Sequence, residues 1–317
     1  MSEAVVLAVD LGGSSMKGAI VTVGGVTIGG ETRRTPGSEI VDALVDLLQE
    51  LRTNAEDLGH IVIGAGVVTP GIVNEETGVV LYASNLDWRD LPLLDILRSH
   101  FPFPVAVGHD VRAAGLAEHL LGAARGAEDF VLLPIGTGVA AALITGSTTI
   151  TGATGAAGEV GHIPVVPGGE LCTCGQHGCL EVYVSGAGLS RRYRKRTGRE
   201  LSSQQIVQLL GTDRAADEVW DDAVQVLAQG LAIMTLMLDP RIIVLGGGFS
   251  NAGDVLLTPV RAALEHGLTW RATPEVVLSE LGGEAGRIGA AILAVQAAGH
   301  GVVIERWSSA SLAHAPA

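Results

Sequence analysis

All three cysteines of this 317-residue chain fall within the stretch GELCTCGQHGCLE at 169–181. No other feature restricts the fold so much, because a loop that gathers every thiol must either close around something or bury three idle sulfurs. An odd cysteine count pairs badly into disulfides. Cys172, Cys174 and Cys179 instead offer three soft metal ligands, and Gly175 and Gly178 in the C-x-C-G-x-x-G-C spacing permit the sharp reversal that gathers them. Tetrahedral zinc asks for a fourth ligand, and two histidines stand close: His177 inside the loop and His162 upstream in GEVGH.

Composition supplies the bounds. With 47% hydrophobic residues the chain can bury a sizeable core, and its length favours two domains over one. A net charge of −14 argues against a general nucleic-acid binder, since duplex affinity rests on lysine and arginine neutralising phosphates. No apolar run approaches the roughly 18 residues of a membrane span, and the opening MSEAVVLAVD lacks a charged n-region and a long apolar segment. The expectation is a cytoplasmic protein with neither membrane nor nucleic-acid partners, whose thiols stay reduced.

Periodicity predicts α/β organisation. Residues 5–11 read as a buried strand, 17–23 and 26–33 as further strands of a meander, and 38–53 as a helix with Ile40, Leu44, Leu47, Leu48 and Leu51 on one face. A strand at 60–68 ends before the turn at Pro70-Gly71, a helix lies near 92–100, and VAVGHD at 105–110 runs into a helical pattern at 111–123. The second half repeats the plan, with strands in 129–145, a long helix near 214–238, the strand RIIVLGGG, and helices near 252–266 and 286–298. DLGGSS at 10–15 and IGTGVA at 135–140 suggest an internal repeat. The tail 299–317, ending SSASLAHAPA, reads as frayed or disordered.

Gly161-His162 followed by CTCGQHGCLE at 172–181 resembles the signature of the ROK family of bacterial sugar kinases and sugar-responsive repressors, which runs G-H, a spacer, then C-x-C-G-x-x-G-C-x-E. The likeness extends along the chain: DLGGSSMKGAIV resembles the family's first phosphate motif, IGTGVAAALI its second, and LDPRIIVLGGG its adenosine motif. The resemblance implies His162, Cys172, Cys174 and Cys179 as ligands of a structural zinc, with His177 outside the shell. It also implies a two-domain actin-like ATPase fold of the hexokinase and ribonuclease H type, with ATP and sugar in a cleft between the domains. The expected domains are 1–118 and 119–317, the second carrying the zinc loop 162–181, with the helix near 286–300 packing back onto the first.

The residues also suit phosphoryl transfer, which asks for backbone amides around phosphates, a Mg²⁺ ion and a carboxylate to take the proton of the attacking hydroxyl. In family terms Asp10, Gly12, Gly13, Ser14 and Lys17 face the triphosphate, Asp10 holding Mg²⁺ through water, and Gly136-Thr137-Gly138 and Gly246-Gly247-Gly248 complete the nucleotide site. Taken alone, each glycine cluster is an ordinary turn, and no Walker loop occurs. Asp110, at the end of a strand and the start of a helix, is the family's general base; its plain structural reading is a helix N-cap. By the same resemblance Asn85, His109, Asp110, Glu159, His162 and Glu181 meet the sugar. Here Gly108-His109-Asp110-Val111-Arg112 stands where the family shows Glu-Asn-Asp-x-Asn, so the asparagine before the base is His109.

The reading that follows is an ATP-dependent hexose kinase acting on the 6-hydroxyl of glucose, with N-acetylhexosamine, mannose or fructose as alternatives. A non-catalytic sugar sensor is the alternative outside enzymes. Family repressors carry an N-terminal helix-turn-helix, and the nine residues before Asp10 leave no room for one. The expected partners are sugar and ATP, and the expected assembly is a homodimer or homotetramer.

Overall fold

The computed structural model describes residues 3–312. The chain divides into two compact units: Met1–Gly126 with Thr151–Ala157 and Glu284–Ala317, and Ala127–Ile150 with Gly158–Gly283.

In the first unit β1 (Ala4–Leu11), β2 (Ser15–Thr22) and β3 (Thr27–Arg34) form an antiparallel meander; helix α1 (Ile40–Asp57) leads to β4 (Ile61–Thr69), parallel to β1. A small antiparallel sheet, β5 (Ile72–Asn74), β6 (Val79–Ala83) and β7 (Trp88–Leu91), precedes α2 (Leu93–His100). Strand β8 (Val105–His109) pairs parallel to β4 and runs directly into α3 (Asp110–Leu121). The main sheet order is β3-β2-β1-β4-β8.

The period-2 alternation of β1 places Val5, Leu7, Val9 and Leu11 in the same core as Leu44, Leu47, Leu48 and Leu51 of α1. Asp10 points to the opposite face.

The second unit repeats this arrangement with β9 (Phe130–Pro134), β10 (Ala142–Thr145) and β11 (Thr148–Thr149), then four helices before the parallel strands resume. These are α4 (Leu180–Val184), α5 (Gly186–Thr197), α6 (Ser203–Gln208) and α7 (Arg214–Leu238). Strand β12 (Ile242–Gly246), helix α8 (Asp254–Gly267) and β13 (Glu275–Leu278) complete the order β11-β10-β9-β12-β13. Two sheets with the same order and the same antiparallel-then-parallel pattern are the structural counterpart of the two glycine-punctuated motifs in the sequence.

Helix α7 starts where Asp213 accepts the amide of Ala215 at 2.9 Å. It is long and apolar enough to cross a membrane, with a window of mean hydropathy 1.2, although no continuous apolar run signals it. Its buried residues, from Ala216 through Trp220 and Leu227 to Met234, belong to the core of the second unit, as a core helix requires.

The last helix, α9 (Ala285–Ala297), returns to the first unit and packs on β1, β4 and α3. Glycines permit the approach. A Cβ on Gly66 of β4 would stand 2.0 Å from the Ala290 carbonyl oxygen, and one on Gly289 would stand 2.3 Å from that of Ala113.

Beyond α9 the tail is ordered through Leu312, contrary to the frayed segment expected from its small polar residues. Trp307 is buried against Gly25, its indole N–H donating to the Val23 carbonyl at 2.9 Å, and Thr27 Oγ1 donates to the Leu312 carbonyl at 2.9 Å. One large aromatic outweighs the weak local propensity around it. Residues 313–317 of that expectation lie outside the described part.

Candidate active site and metal centre

Asp10 lies next to the end of β1, its backbone paired with Lys17 on β2. Its carboxylate meets the N-terminal turn of α9, where a Cβ on Gly286 would come within 2.7 Å of Oδ2. Burial, reinforced by the negative charge of Asp110, pushes Asp10 up to about 6, against the pull of Lys17. The turn that follows is a tight hairpin. The amide of Gly12 donates to the Ser15 carbonyl at 2.8 Å, and Thr35 ties the loop from the side, its hydroxyl donating to the Gly12 carbonyl and its amide to that of Ser14. Gly13 lies under the side chain of Asn85, which sits exposed between β6 and β7.

Asp110 is the first residue of α3, and its Oδ1 accepts the amide of Val111 at 2.7 Å. The N-cap is His109, the last residue of β8, whose Nδ1 accepts the amide of Arg112 at 3.3 Å. The structural alternative for Asp110 is therefore met by its neighbour. Burial pushes the Asp110 carboxyl up to about 6, opposed by the Val111 amide and by the charge of Arg112. His109 is 5% exposed, and burial with the positive charge of Arg112 pushes it down to about 3. The imidazole is thus neutral.

Sequence reasoning missed the residue that organises this corner. Glu75, just after β5, accepts through Oε1 the amide of His109 at 3.0 Å and Nε of Arg112 at 3.0 Å. Arg112 also donates to the carbonyls of Gly155 and Val73, each at 3.0 Å. A lone glutamate 34 residues upstream carries no local signal of this contact.

In the second unit the glycine motifs come together. Gly136 donates to the Gly138 carbonyl at 3.0 Å, closing a turn between bridged Ile135 and Val139. Gly247 has φ 74°, and a Cβ there would stand 2.4 Å from the Ile135 carbonyl oxygen, so 246–248 lies directly beside the start of 136–138. Glu181, two residues after the last cysteine, accepts the Val139 amide at 2.9 Å. Gly161 presses on Val139 in turn, where a Cβ would be 2.2 Å from its carbonyl oxygen. One short strand end therefore holds the second glycine loop, Glu181 and the segment of Glu159 and His162 in register.

Ligand atoms of His162, Cys172, Cys174 and Cys179 all lie within 4.8 Å of one another. Cys174 and Cys179 Sγ are 3.7 Å apart, and His162 Nδ1 is 3.7 Å from Cys172 Sγ. Bonds of about 2.3 Å from zinc to sulfur, arranged tetrahedrally, set adjacent sulfurs roughly 3.8 Å apart, so the donor set fits that ion in both chemistry and spacing. Gly175 and Gly178 turn the loop with φ of 91° and 78°. His177 faces elsewhere, its Nδ1 3.0 Å from the Gly169 carbonyl oxygen. With four protein donors, such a site is closed.

Each group of predicted residues is assembled within its own unit: Asp10, Lys17, Asn85, His109 and Asp110 in the first, and the two other glycine motifs, Glu159, Glu181 and the metal donors in the second. Similarity to known proteins extends along nearly the whole chain. A glucokinase from Streptomyces coelicolor is 31% identical over 310 residues, covering 91% of this chain and 96% of that one. The structure of a ROK family glucokinase from Streptomyces griseus in complex with glucose and AMPPNP superposes with a TM-score of 0.80 at 31% identity, covering 92% of this chain and 99% of that chain. An N-acetylglucosamine repressor from Escherichia coli O6:H1 is 28% identical over 286 residues, covering 86% of this chain and 69% of the repressor. The sequence model described as the ROK family matches residues 6–297, and with the repeated sheets and the gathered motifs it makes this chain a member of the ROK family, built on the two-domain actin-like ATPase fold.

Proposed function

We propose that this protein is an ATP-dependent hexose kinase that phosphorylates glucose on its 6-hydroxyl. The observation that carries the reading is Asp110: a half-buried carboxylate at a strand-to-helix junction, with an affinity for protons raised to about 6, in a chain alike over nearly its whole length to glucokinases. A base so tuned holds a proton well enough to draw it from a hydroxyl and still ionises at neutral pH.

In the proposed reaction the sugar 6-oxygen attacks the γ-phosphorus of ATP in line. Its proton passes to Asp110, the new O–P bond forms, and the bond to the departing ADP oxygen breaks. The backbone of Gly12, Gly13 and Ser14 and the loops 136–138 and 246–248 would cradle the nucleotide, with Lys17 adding positive charge. Asp10 would orient the magnesium that accompanies ATP and neutralises the developing charge. Asn85, Glu159, Glu181 and His162 would pair with sugar hydroxyls, each of which loses binding energy if left without a partner. The zinc held by His162, Cys172, Cys174 and Cys179 would be structural, fixing the loop that places Glu181 and the free face of His162. A cytoplasmic location and a homo-oligomeric state accompany this reading.

The test is ADP release over a panel of glucose, mannose, fructose and N-acetylhexosamines. The expected result is highest kcat/KM on glucose, with Asp110→Asn lowering kcat by about 10²–10⁴. Turnover of Asp110→Asn near that of the parent would remove the base from the mechanism. Sugar binding with no turnover on any sugar would point to a sensor, the role named for the repressor relative.

A further inference from the structure

His109 is the polar ring buried against the proposed base, and its hydrogen-bonding state follows from its neighbours. Nδ1 accepts the Arg112 amide, so in a neutral imidazole the ring proton sits on Nε2. Nε2 stands 3.5 Å from Oδ1 of Asp110, the same oxygen that accepts the Val111 amide. The backbone around the ring is clamped by Glu75 and Arg112, which bind each other, the His109 amide and the carbonyls of Val73 and Gly155. With 5% of its surface exposed, the ring is locked by its own unit before any ligand arrives.

We propose that His109 is a positioning residue for Asp110: anchored through Nδ1, it holds Nε2–H beside Oδ1, at 3.5 Å a long contact that tightens when substrate is bound, and turns Oδ2 toward the hydroxyl whose proton it takes. The proposal rests on the kinase reading and deepens it. It assigns to the residue that replaces the family's asparagine a role on the base itself. The charged and titratable groups around the pair are Arg112 on the same helix, Glu75 after β5 and Asp10 on β1, and Asp10 in turn feels Lys17 on β2 and Glu284 and Arg287 at the start of α9. Against that fixed set, a donor on Oδ1 favours the ionised carboxylate, and its loss raises the pH at which the base becomes active.

Asparagine and glutamine separate the two ring nitrogens. His109→Asn keeps an acceptor where Nδ1 caps α3 and removes the donor toward Asp110, whereas His109→Gln reaches the Nε2 position. For His109→Asn the expected result is kcat reduced roughly tenfold, KM within about twofold of the parent, and the acidic limb of kcat/KM moved to higher pH. His109→Gln should recover most of kcat and return the limb toward the parent's. A raised KM with kcat unchanged would make His109 a direct sugar ligand and overturn the proposal, as would an unmoved acidic limb. Nitrogen-15 NMR of the parent reads the ring independently of turnover: the Nε2–H tautomer is expected, and an Nδ1–H or doubly protonated ring at neutral pH would overturn the assignment. A parent protein inert on every hexose would defeat the kinase reading and the role on the base with it, even with the ring in the expected tautomer.

Discussion

Replacing the base should make this protein more stable while it slows turnover by about 10²–10⁴. Asp110 ionises near 3.8 in an unfolded chain and near 6 in the fold, because burial disfavours its charge. That difference corresponds to about 3 kcal/mol of folding free energy lost when the carboxylate is ionised, at about 1.4 kcal/mol for each tenfold change in proton affinity. The side chain keeps 27% of its surface exposed, so the figure is an upper bound. The sign follows from proton binding. Below about pH 4 both states carry the proton and the site weakens nothing. Between about pH 4 and pH 6 only the folded state keeps it, so stability falls as pH rises, and above about pH 6 the whole penalty is present. Asp110→Asn removes the charge, preserves an oxygen for the Val111 amide, and relieves Asp10, whose own proton affinity Asp110 raises. Urea unfolding of the protein without nucleotide or sugar should show the variant more stable by up to about 3 kcal/mol near neutral pH, the gap closing toward pH 4. Equal or lower stability of the variant at neutral pH would refute the argument that burial strains this carboxylate.

The same ionisation governs the rate: kcat/KM on the best hexose should fall about tenfold for each pH unit below roughly 6, and a rate flat down to about pH 4.5 would exclude a base of this proton affinity. Metal analysis should return one zinc per chain, and Cys174→Ser should lower zinc content and thermal stability together; a metal-free parent that binds sugar normally would rule out the clasp. Trp307→Ala empties a buried aromatic site under Gly25 and should cost about 3 kcal/mol, whereas an effect under about 0.5 kcal/mol would show that the tail contributes nothing to the first unit.

Much of this architecture is legible locally. The long helix predicted at 214–238 occupies Arg214–Leu238, because a wide apolar stripe opened by Asp213 is a signal contained in the segment itself. The strand at 105–110 and the helix after it were equally plain, although the exact cap was not: His109 takes that place because its ring folds back on the Arg112 amide, which composition does not reveal. The short helices α4 and α6 and the three-stranded sheet are too brief for periodicity to separate from loop, and α5, though 12 residues long, is a basic run that buries only Leu189 and Tyr193 as apolar side chains. Glu75 was invisible for a different reason. Its partners are 34 and 37 residues away, and nothing about a glutamate in a turn distinguishes it from a solvated one.

The cysteine loop marks the division. By itself the sequence determined that the three thiols would be drawn together, since their spacing and the two glycines leave a tight reversal as the compact solution. It also determined the two strand-led halves, because apolar alternation and glycine turns are properties of consecutive residues. Which histidine joins the thiols was decided by tertiary structure, where Gly161 fits closely against Val139 and brings His162 to the cluster while His177 turns to the Gly169 carbonyl. Tertiary structure likewise set the ionisation of Asp10 and Asp110 and ordered the tail. Burial and the close approach of distant backbones depend on which segments meet, and no stretch of sequence carries that information alone.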